Sequence, residues 1–361
     1  MICQMKSLQV LDMSNNQLIG QIPQCLGDFS NSLLVLNLRN NRFHGNLSET
    51  FIEGSNLKTL DFSYNQIQGK ILRSLVKCKM LEVLNLGNNN KNDTFPFWLE
   101  SSPELQILIL PGNGFHCAIW DAHNNFSGKL PSQYFKTWTG MVIVPDKDKL
   151  QPKYMGDDFY YKDSITVMNK CLEMELVRIS IIFTSIDLSN NRFHGDILDT
   201  LGILKALIVL NLSSNSFTSP IPSSLGSLIE LESLDLSQNE LSREIPQELT
   251  SITFLEYLNL SRNNLKGPIP QNGQFGTFEN SSFEGNLRLC GFPLTKKCES
   301  HDTPTPKSSQ EASLGEAFDW IVVVIGYACG LVIGLVTRHV ITSTRPTWFV
   351  KTFGVNLCRR R

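Results

Sequence analysis

The stretch "LNLSSNSFTSPIPSSLGSLIELESLDLSQNELSREIP", Leu210 to Pro246, states one pattern twice. Written L-x-x-L-x-L-x-x-N-x-L-x-G-x-I-P, the pattern can be set on ten places, with its Asn at Asn16, Asn41, Asn65, Asn89, Asn113, Asn124, Asn191, Asn215, Asn239 and Asn263. Most intervals are 24 or 25 residues. A unit of that length cannot bury its own leucines; it does so by stacking on the next unit.

The period therefore reads as an α/β-type repeat solenoid, a curved leucine-rich repeat array with one parallel β-strand per unit. Strands are predicted at Val10–Met13, Val35–Leu38, Thr59–Phe62, Val83–Leu86, Ile107–Leu110, Ser185–Leu188, Val209–Leu212, Ser233–Leu236 and Tyr257–Leu260, their leucines inward. The Asn carboxamide suits a turn in which it hydrogen-bonds the backbone of adjacent coils. Gly20, Gly45, Gly69 and Gly267 suit a tight corner. The Ile-Pro that follows suits a non-helical convex side. With 41% hydrophobic residues the 361-residue chain has a sizeable core, and a net charge of -2 argues against a nucleic-acid partner.

The array is interrupted. Repeats fill 1–130, an island occupies 131–182, and repeats resume over 183–270. The first half of the island reads as a loop, and "DSITVMNKCLEMEL" as a hairpin alternating around Ile165 and Val167. Asn113 and Asn124 stand eleven residues apart, too close for a full coil. In the register of Asn124 the core positions would be His116, Ile119 and Asp121, two of them polar, so no regular strand is expected there.

Beyond the repeats comes a cap, 271–298, whose closely spaced Cys290 and Cys298 read as a disulfide formed in an oxidising compartment. An acidic juxtamembrane linker follows at 299–317. The uncharged run "WIVVVIGYACGLVIGLV", Trp320 to Val336, then reads as a single transmembrane helix over 318–337. Its seventeen residues rise about 26 Å, near the lower limit for a span. Glu311, Glu316 and Asp319 precede it, and Arg338, Arg345, Lys351, Arg359, Arg360 and Arg361 follow. The short basic tail, 338–361, is thus expected in the cytoplasm and the repeats outside a plasma membrane. Six sequons, at Asn46, Asn92, Asn125, Asn211, Asn259 and Asn280, fit an extracellular glycoprotein, with three or more expected to be used. The first residues, "MICQMKSLQVLDMSNNQL", show neither an apolar leader nor a polar cap and read as the C-terminal part of a longer secreted array.

No nucleophile elbow, zincin helix or phosphate-binding loop is present, so the chain reads as a non-enzyme with no catalytic residues, no metal site and no cofactor. His44, His116 and His194 share one repeat position and read as surface turns. Cys3, Cys25, Cys78, Cys117 and Cys171 follow no pairing rule, and Cys329 and Cys358 are sites where a palmitoyl group would fit. What remains is surface. One strand position alternates as Asp12, Asn37, Asp61, Asn85, Asp187, Asn211, Asp235 and Asn259, which reads as a structural ladder. Residues that vary between coils mark the candidate ligand surface: Arg39, Tyr64, Gln106, Glu256, Tyr257 and Arg262, with Tyr160, Tyr161, Lys162 and Asp163 of the island beside them. Gly326, Gly330 and Gly334 lie on one face of the membrane helix, as a close helix–helix contact requires.

Together "LDMSNNQLIGQIP", "NNNKNDTFPFWLESSPELQILIL", "FYYKDSITVMNKCLEMEL", "GNLRLCGFPLTKKC" and "RPTWFVKTFG" resemble the plant leucine-rich repeat receptor-like proteins, the kinase-lacking class that includes tomato leaf-mould resistance receptors. The resemblance implies a cell-surface receptor of plant defence or development. It would sense an extracellular protein or peptide ligand and signal through a partner receptor-like kinase held at the membrane helix and juxtamembrane region. Two other readings stay open: a non-signalling binding module of decoy or inhibitor type, and a nonfunctional truncated copy. The short coil before Asn124, and Cys171 where the resemblance calls for Gly, fit the last of these.

Overall fold

The computed structural model describes residues 4–5, 7–29, 32–47, 51–118, 134–145, 153–156, 161–170 and 172–298. Nine short strands, Val10–Asp12, Val35–Asn37, Thr59–Asp61, Val83–Asn85, Ile107–Ile109, Ser185–Asp187, Val209–Asn211, Ser233–Asp235 and Tyr257–Asn259, form one long sheet in chain order. Every pairing in it is parallel. Each strand stops one residue before its expected end, yet the next leucine still bonds the following coil, as Leu212 N does to Asp235 O at 2.8 Å. The central leucines, Leu36, Leu60, Leu84, Leu108, Leu210, Leu234 and Leu258, are buried and stack coil on coil into one core.

The asparagine of each phrase joins neighbouring coils. Asn239 Nδ2 donates to Leu236 O at 3.1 Å and Ser237 O at 3.1 Å in its own coil, and to Leu212 O at 3.0 Å in the coil before. Its Oδ1 accepts from Phe217 N at 3.0 Å. A carboxamide alone offers both two donors and an acceptor at this reach, which is why Asn recurs there. The residue before it has a left-handed backbone, with φ of 53° at Asn40 and 55° at Gln238.

The other side of each coil departs from the α/β label. Among the described residues, α-helix is confined to one turn, Thr139–Val142. The convex layer consists of short 3₁₀ segments such as Ser223–Ser227 and Gln247–Ser251, together with short second-layer strands. Five residues close too few i→i−4 bonds to sustain an α-helix, whereas a 3₁₀ turn closes after three. Gly69 turns this corner at φ 74°, and a Cβ there would meet Asn46 Oδ1 at 2.6 Å.

The sixth phrase, at Asn124, adds no strand to the long sheet: Ile107–Ile109 pairs directly with Ser185–Asp187. His116, a core position in the Asn124 register, instead starts the strand His116–Ala118, which pairs with Arg192–His194 in the second layer. Ile119, Asp121 and Asn124 lie outside the described residues. The segment assigned to the island from residue 131 divides in two. Its early part, Tyr134–Thr137 and Thr139–Val142, closes the coil begun at Ile107. Trp138 is buried and donates Nε1–H to Leu99 O at 2.9 Å, and Met141 O accepts from Ala206 N at 2.9 Å. Its later part contains the expected hairpin, Ile165–Asn169 antiparallel to Leu172–Leu176. The period hid this division because one coil is stretched by an insertion between its convex turn and the next strand.

At the far end Lys266–Pro268 pairs with Arg288–Cys290, and Phe275 and Phe283 close the core. Cys290 and Cys298 are bridged, with Cα atoms 5.0 Å apart. Asn286 continues the asparagine series unannounced by a full phrase: Oδ1 accepts from Leu265 N at 3.0 Å and Nδ2 donates to Leu260 O at 2.9 Å. Cys78 is free and buried, and Cys25 is held in a disulfide. The linker, the expected span with its three glycines, and the basic tail lie outside the described residues. Among those described, no helix is long and apolar enough to cross a membrane.

Candidate functional site: a strap across the ladder face

The nine strands present alternate residues to the face opposite the core. There the Asp/Asn series forms hydrogen-bonded pairs between coils. Asn37 Nδ2 reaches Asp12 Oδ2 at 3.4 Å, Asn85 reaches Asp61 at 3.1 Å, and Asn259 reaches Asp235 at 3.5 Å. The other carboxylate oxygen caps the turn of its own coil, as Asp61 Oδ1 does for Ser63 N at 2.9 Å. Burial raises the carboxyls of Asp61 and Asp235 above the usual range, against the pull of these donors. Ile109 occupies the ladder position between Asn85 and Asp187 and breaks the series.

The island lies over this break. Ile165, Val167, Met155 and Ile179 bury Val83, Ile107 and Ile109 in a second apolar cluster separate from the main core. Ile109 is therefore apolar because the island covers it. Polar contacts then fasten the island along the ladder face. Tyr161 donates its hydroxyl to Asp12 Oδ2 at 2.6 Å. Thr59 Oγ1 donates to Asp163 Oδ2 at 3.1 Å. Tyr64 donates to Glu173 Oε1 at 2.5 Å, and Arg39 pairs with Glu175 at 3.4 Å. At the hairpin turn Lys170 pairs with Glu256 beside the last strand. The contacts run from the first strand to the ninth.

Their electrostatics follow from burial. Asp163, 4% exposed, is pushed up to about 6, first by desolvation and then by the Glu82 and Asp12 charges, against the Thr59 hydrogen bond and Lys58. Asp187, 1% exposed, is likewise pushed up to about 6 by burial, opposed by Ser189 and Asn211. Tyr64 is pushed up to about 12 by burial and by the Glu173 carboxylate it donates to. Tyr161 is raised for the same two reasons, with Asp12 as acceptor.

Five of the ten candidate ligand residues, Arg39, Tyr64, Tyr161, Asp163 and Glu256, are brought together by the island rather than left open. Lys162 is exposed, and Tyr160 lies outside the described residues. Gln106 sits on the flank, with Cγ 2.7 Å from where a Cβ on Gly140 would stand. Tyr257 belongs to the ladder, accepting from Asn259 Nδ2 at 3.2 Å. Arg262 holds a left-handed corner at φ 53°. Sequence reasoning missed Glu173, Glu175, Lys170 and Thr166; the alternating glutamates of "LEMEL" were their one visible signal. Among the sequons, Asn46, Asn92 and Asn280 are exposed, and Asn125 lies outside the described residues. Asn211 is 8% exposed within the ladder, and Asn259 donates its amide there, so neither presents a free glycan acceptor. The buried ladder overrides the local motif.

Leucine rich repeat family models match residues 31–90, and again 7–29, 206–228, 230–252 and 254–274. Receptor-like protein 35 of Arabidopsis thaliana is 50% identical over 376 aligned positions, covering 100% of this chain and 40% of its own length. Receptor-like protein 43 of the same plant is 52% identical over 361, covering 95% of this chain and 50% of its own. The chain is a leucine-rich-repeat protein, homologous to plant receptor-like proteins. It spans about half or less of the length of the curated relatives it matches. Among solved structures, the ectodomain of the Arabidopsis receptor kinase HAESA, in complex with an extended IDA peptide hormone ligand, is 27% identical with a TM-score of 0.53. The match covers 81% of this chain and 44% of that one. A plant ice-binding protein, 22% identical with a TM-score of 0.58, covers 83% of this chain and 79% of its own, and shares the fold alone.

Proposed function

We propose that this chain is part of a cell-surface receptor-like protein, anchored by one helix, with its repeats outside the plasma membrane. The observation that carries this reading is the island fastened across the ladder face. A repeat array whose variable residues converge under a separate strap has the layout of a ligand site whose cover rearranges on binding. Homology to receptor-like proteins over the whole chain supports it, as does the uncharged run 320–336 between acidic and basic flanks. The HAESA ectodomain, of the same fold, binds a peptide hormone, which favours an extracellular protein or peptide ligand here. Signal then passes through a partner receptor kinase, with Gly326, Gly330 and Gly334 as the contact within the bilayer. A role in plant defence belongs to this proposal.

The test is co-precipitation from leaf cells expressing the tagged chain, after labelling of surface proteins. The wild-type chain should reach the surface and recover a receptor kinase. Replacing the three glycines by leucine should preserve delivery and weaken recovery. A chain that reaches the surface but recovers no kinase is a non-signalling binding module. One that never reaches it overturns the receptor reading.

A further inference from the structure

Between the hairpin and the ladder face lies a cleft of about 190 Å³. It has room for about six waters and fits a single long side chain. Its floor holds Asp187, Ser189 and Ile109; Thr166 and Val167 of the hairpin line it from above, with Tyr64 and Glu173 at the side. The floor is anomalous in one respect. Asp12, Asp61 and Asp235 each receive an Asn amide on Oδ2. Asp187 Oδ1 accepts from Ser189 N at 2.9 Å, but Oδ2 is buried and carries no hydrogen bond. Ile109 on one side has no donor to offer, and the Asn211 amide on the other, the counterpart of Asn37, Asn85 and Asn259, lowers the Asp187 carboxyl but stands too far or too askew to bond Oδ2. Thr166 Oγ1, also lining the cleft, is a second buried oxygen without a partner. A buried carboxylate oxygen left unpaired is costly, and a cationic donor is the complement that relieves it.

We propose that this cleft takes the cationic head of a basic side chain, arginine or lysine, from an extracellular peptide or protein ligand, with Asp187 as its counter-ion. The lining residues include two carboxylates, Asp187 and Glu173, and no lysine or arginine. A metal ion suits the cleft less well: among the described residues no group of three His, Cys, Asp or Glu side chains comes together. The hairpin makes the site selective in shape, because a cation reaching Asp187 must pass beneath Thr166 and beside Glu173. The inference rests on the receptor reading above and names the chemistry of its ligand.

The full chain, purified in detergent, is titrated calorimetrically with Nα-acetyl-arginine amide, with Nα-acetyl-lysine amide and with the neutral citrulline analogue of the first. The arginine or lysine probe should bind saturably and at least tenfold more tightly than citrulline. Asp187→Asn, nearly isosteric and neutral, should lower that affinity at least tenfold. Asp61→Asn, at a sister position outside the cleft, should leave it unchanged. Thr166→Val, on the hairpin, gives an independent loss of several-fold should the Asp187 variant fold poorly. Equal binding of citrulline, or unchanged affinity in the folded Asp187 variant, overturns the cation assignment while leaving the receptor reading standing. Absence of saturable binding by either cation also overturns it, and the receptor reading is then judged by surface delivery and kinase recovery alone.

Discussion

Tyr161 donates its hydroxyl to the Asp12 carboxylate at 2.6 Å, joining the island to the first strand across 149 residues of sequence. Asp12 thereby accepts from two directions, from Asn37 in the next coil and from the island above it. Tyr161→Phe removes the bond and keeps the ring. The loss should be about 1 kcal/mol, felt by the island and hardly by the repeats. Hydrogen exchange should show faster opening of the hairpin 165–176 with unchanged protection of the strands; uniform protection throughout would show that this bond does not hold the island.

Acid should tighten the seat of the island on the repeats. Asp163 and Asp187, ordinarily near 3.8, are pushed up to about 6 by burial. Between those values the covered state binds more protons than the uncovered one. Its stability is therefore full below about 4 and is lost as pH rises through 6. From pH 7 to pH 5 Asp163 gives the island a gain of about 1.4 kcal/mol, roughly tenfold in opening; Asp187, whose partners Ser189, Asn211 and Asp235 all lie in the repeats, adds its share to the array instead. Lys58, Glu82 and Asp12 are the charges that face Asp163. Hairpin exchange, corrected for intrinsic rates, should slow on acidification, and Asp163→Asn should flatten the response.

Asn239→Ala should be among the more damaging single changes. It strips the bonds to Leu212 O, Leu236 O, Ser237 O and Phe217 N; the carbonyls keep a donor each, from Asn215, Asn263 and Ser214 N, and the buried Phe217 N–H is left unpaired. A cost of roughly 2–4 kcal/mol is expected from chemical denaturation. Asn286→Ala, by the same geometry, should cost a similar amount; a negligible effect there would show that the cap does not continue the coil.

Removing the terminal disulfide should act locally. The bridge closes a loop of sequence separation 8, for which chain entropy gives about 2.5 kcal/mol. Cys298→Ser should free the pairing of Lys266–Pro268 with Arg288–Cys290 and speed exchange there, while the first strands keep their protection. Loss of protection along the whole sheet would contradict a nearest-neighbour array.

The sequence by itself determined the repeat, the nine strands, their parallel order, the inward leucines and the asparagine series, because each is a local pattern repeated in register. A buried leucine or a bridging carboxamide has the same neighbours in every coil, so one period describes them all. The hairpin was legible for the same reason, in the alternation around Ile165. Only the tertiary structure decided where that hairpin lies. Nothing local in "LEMEL" says that Glu173 meets Tyr64 and Glu175 meets Arg39, since those contacts cross more than a hundred residues. It also decided that Ile109 is covered, that Asp187 is left with an unpaired oxygen beside it, and that Asn211 is buried despite its sequon. These features depend on which surfaces an insertion meets when it folds back, and that is set by the packing of the whole array rather than by the period that builds it.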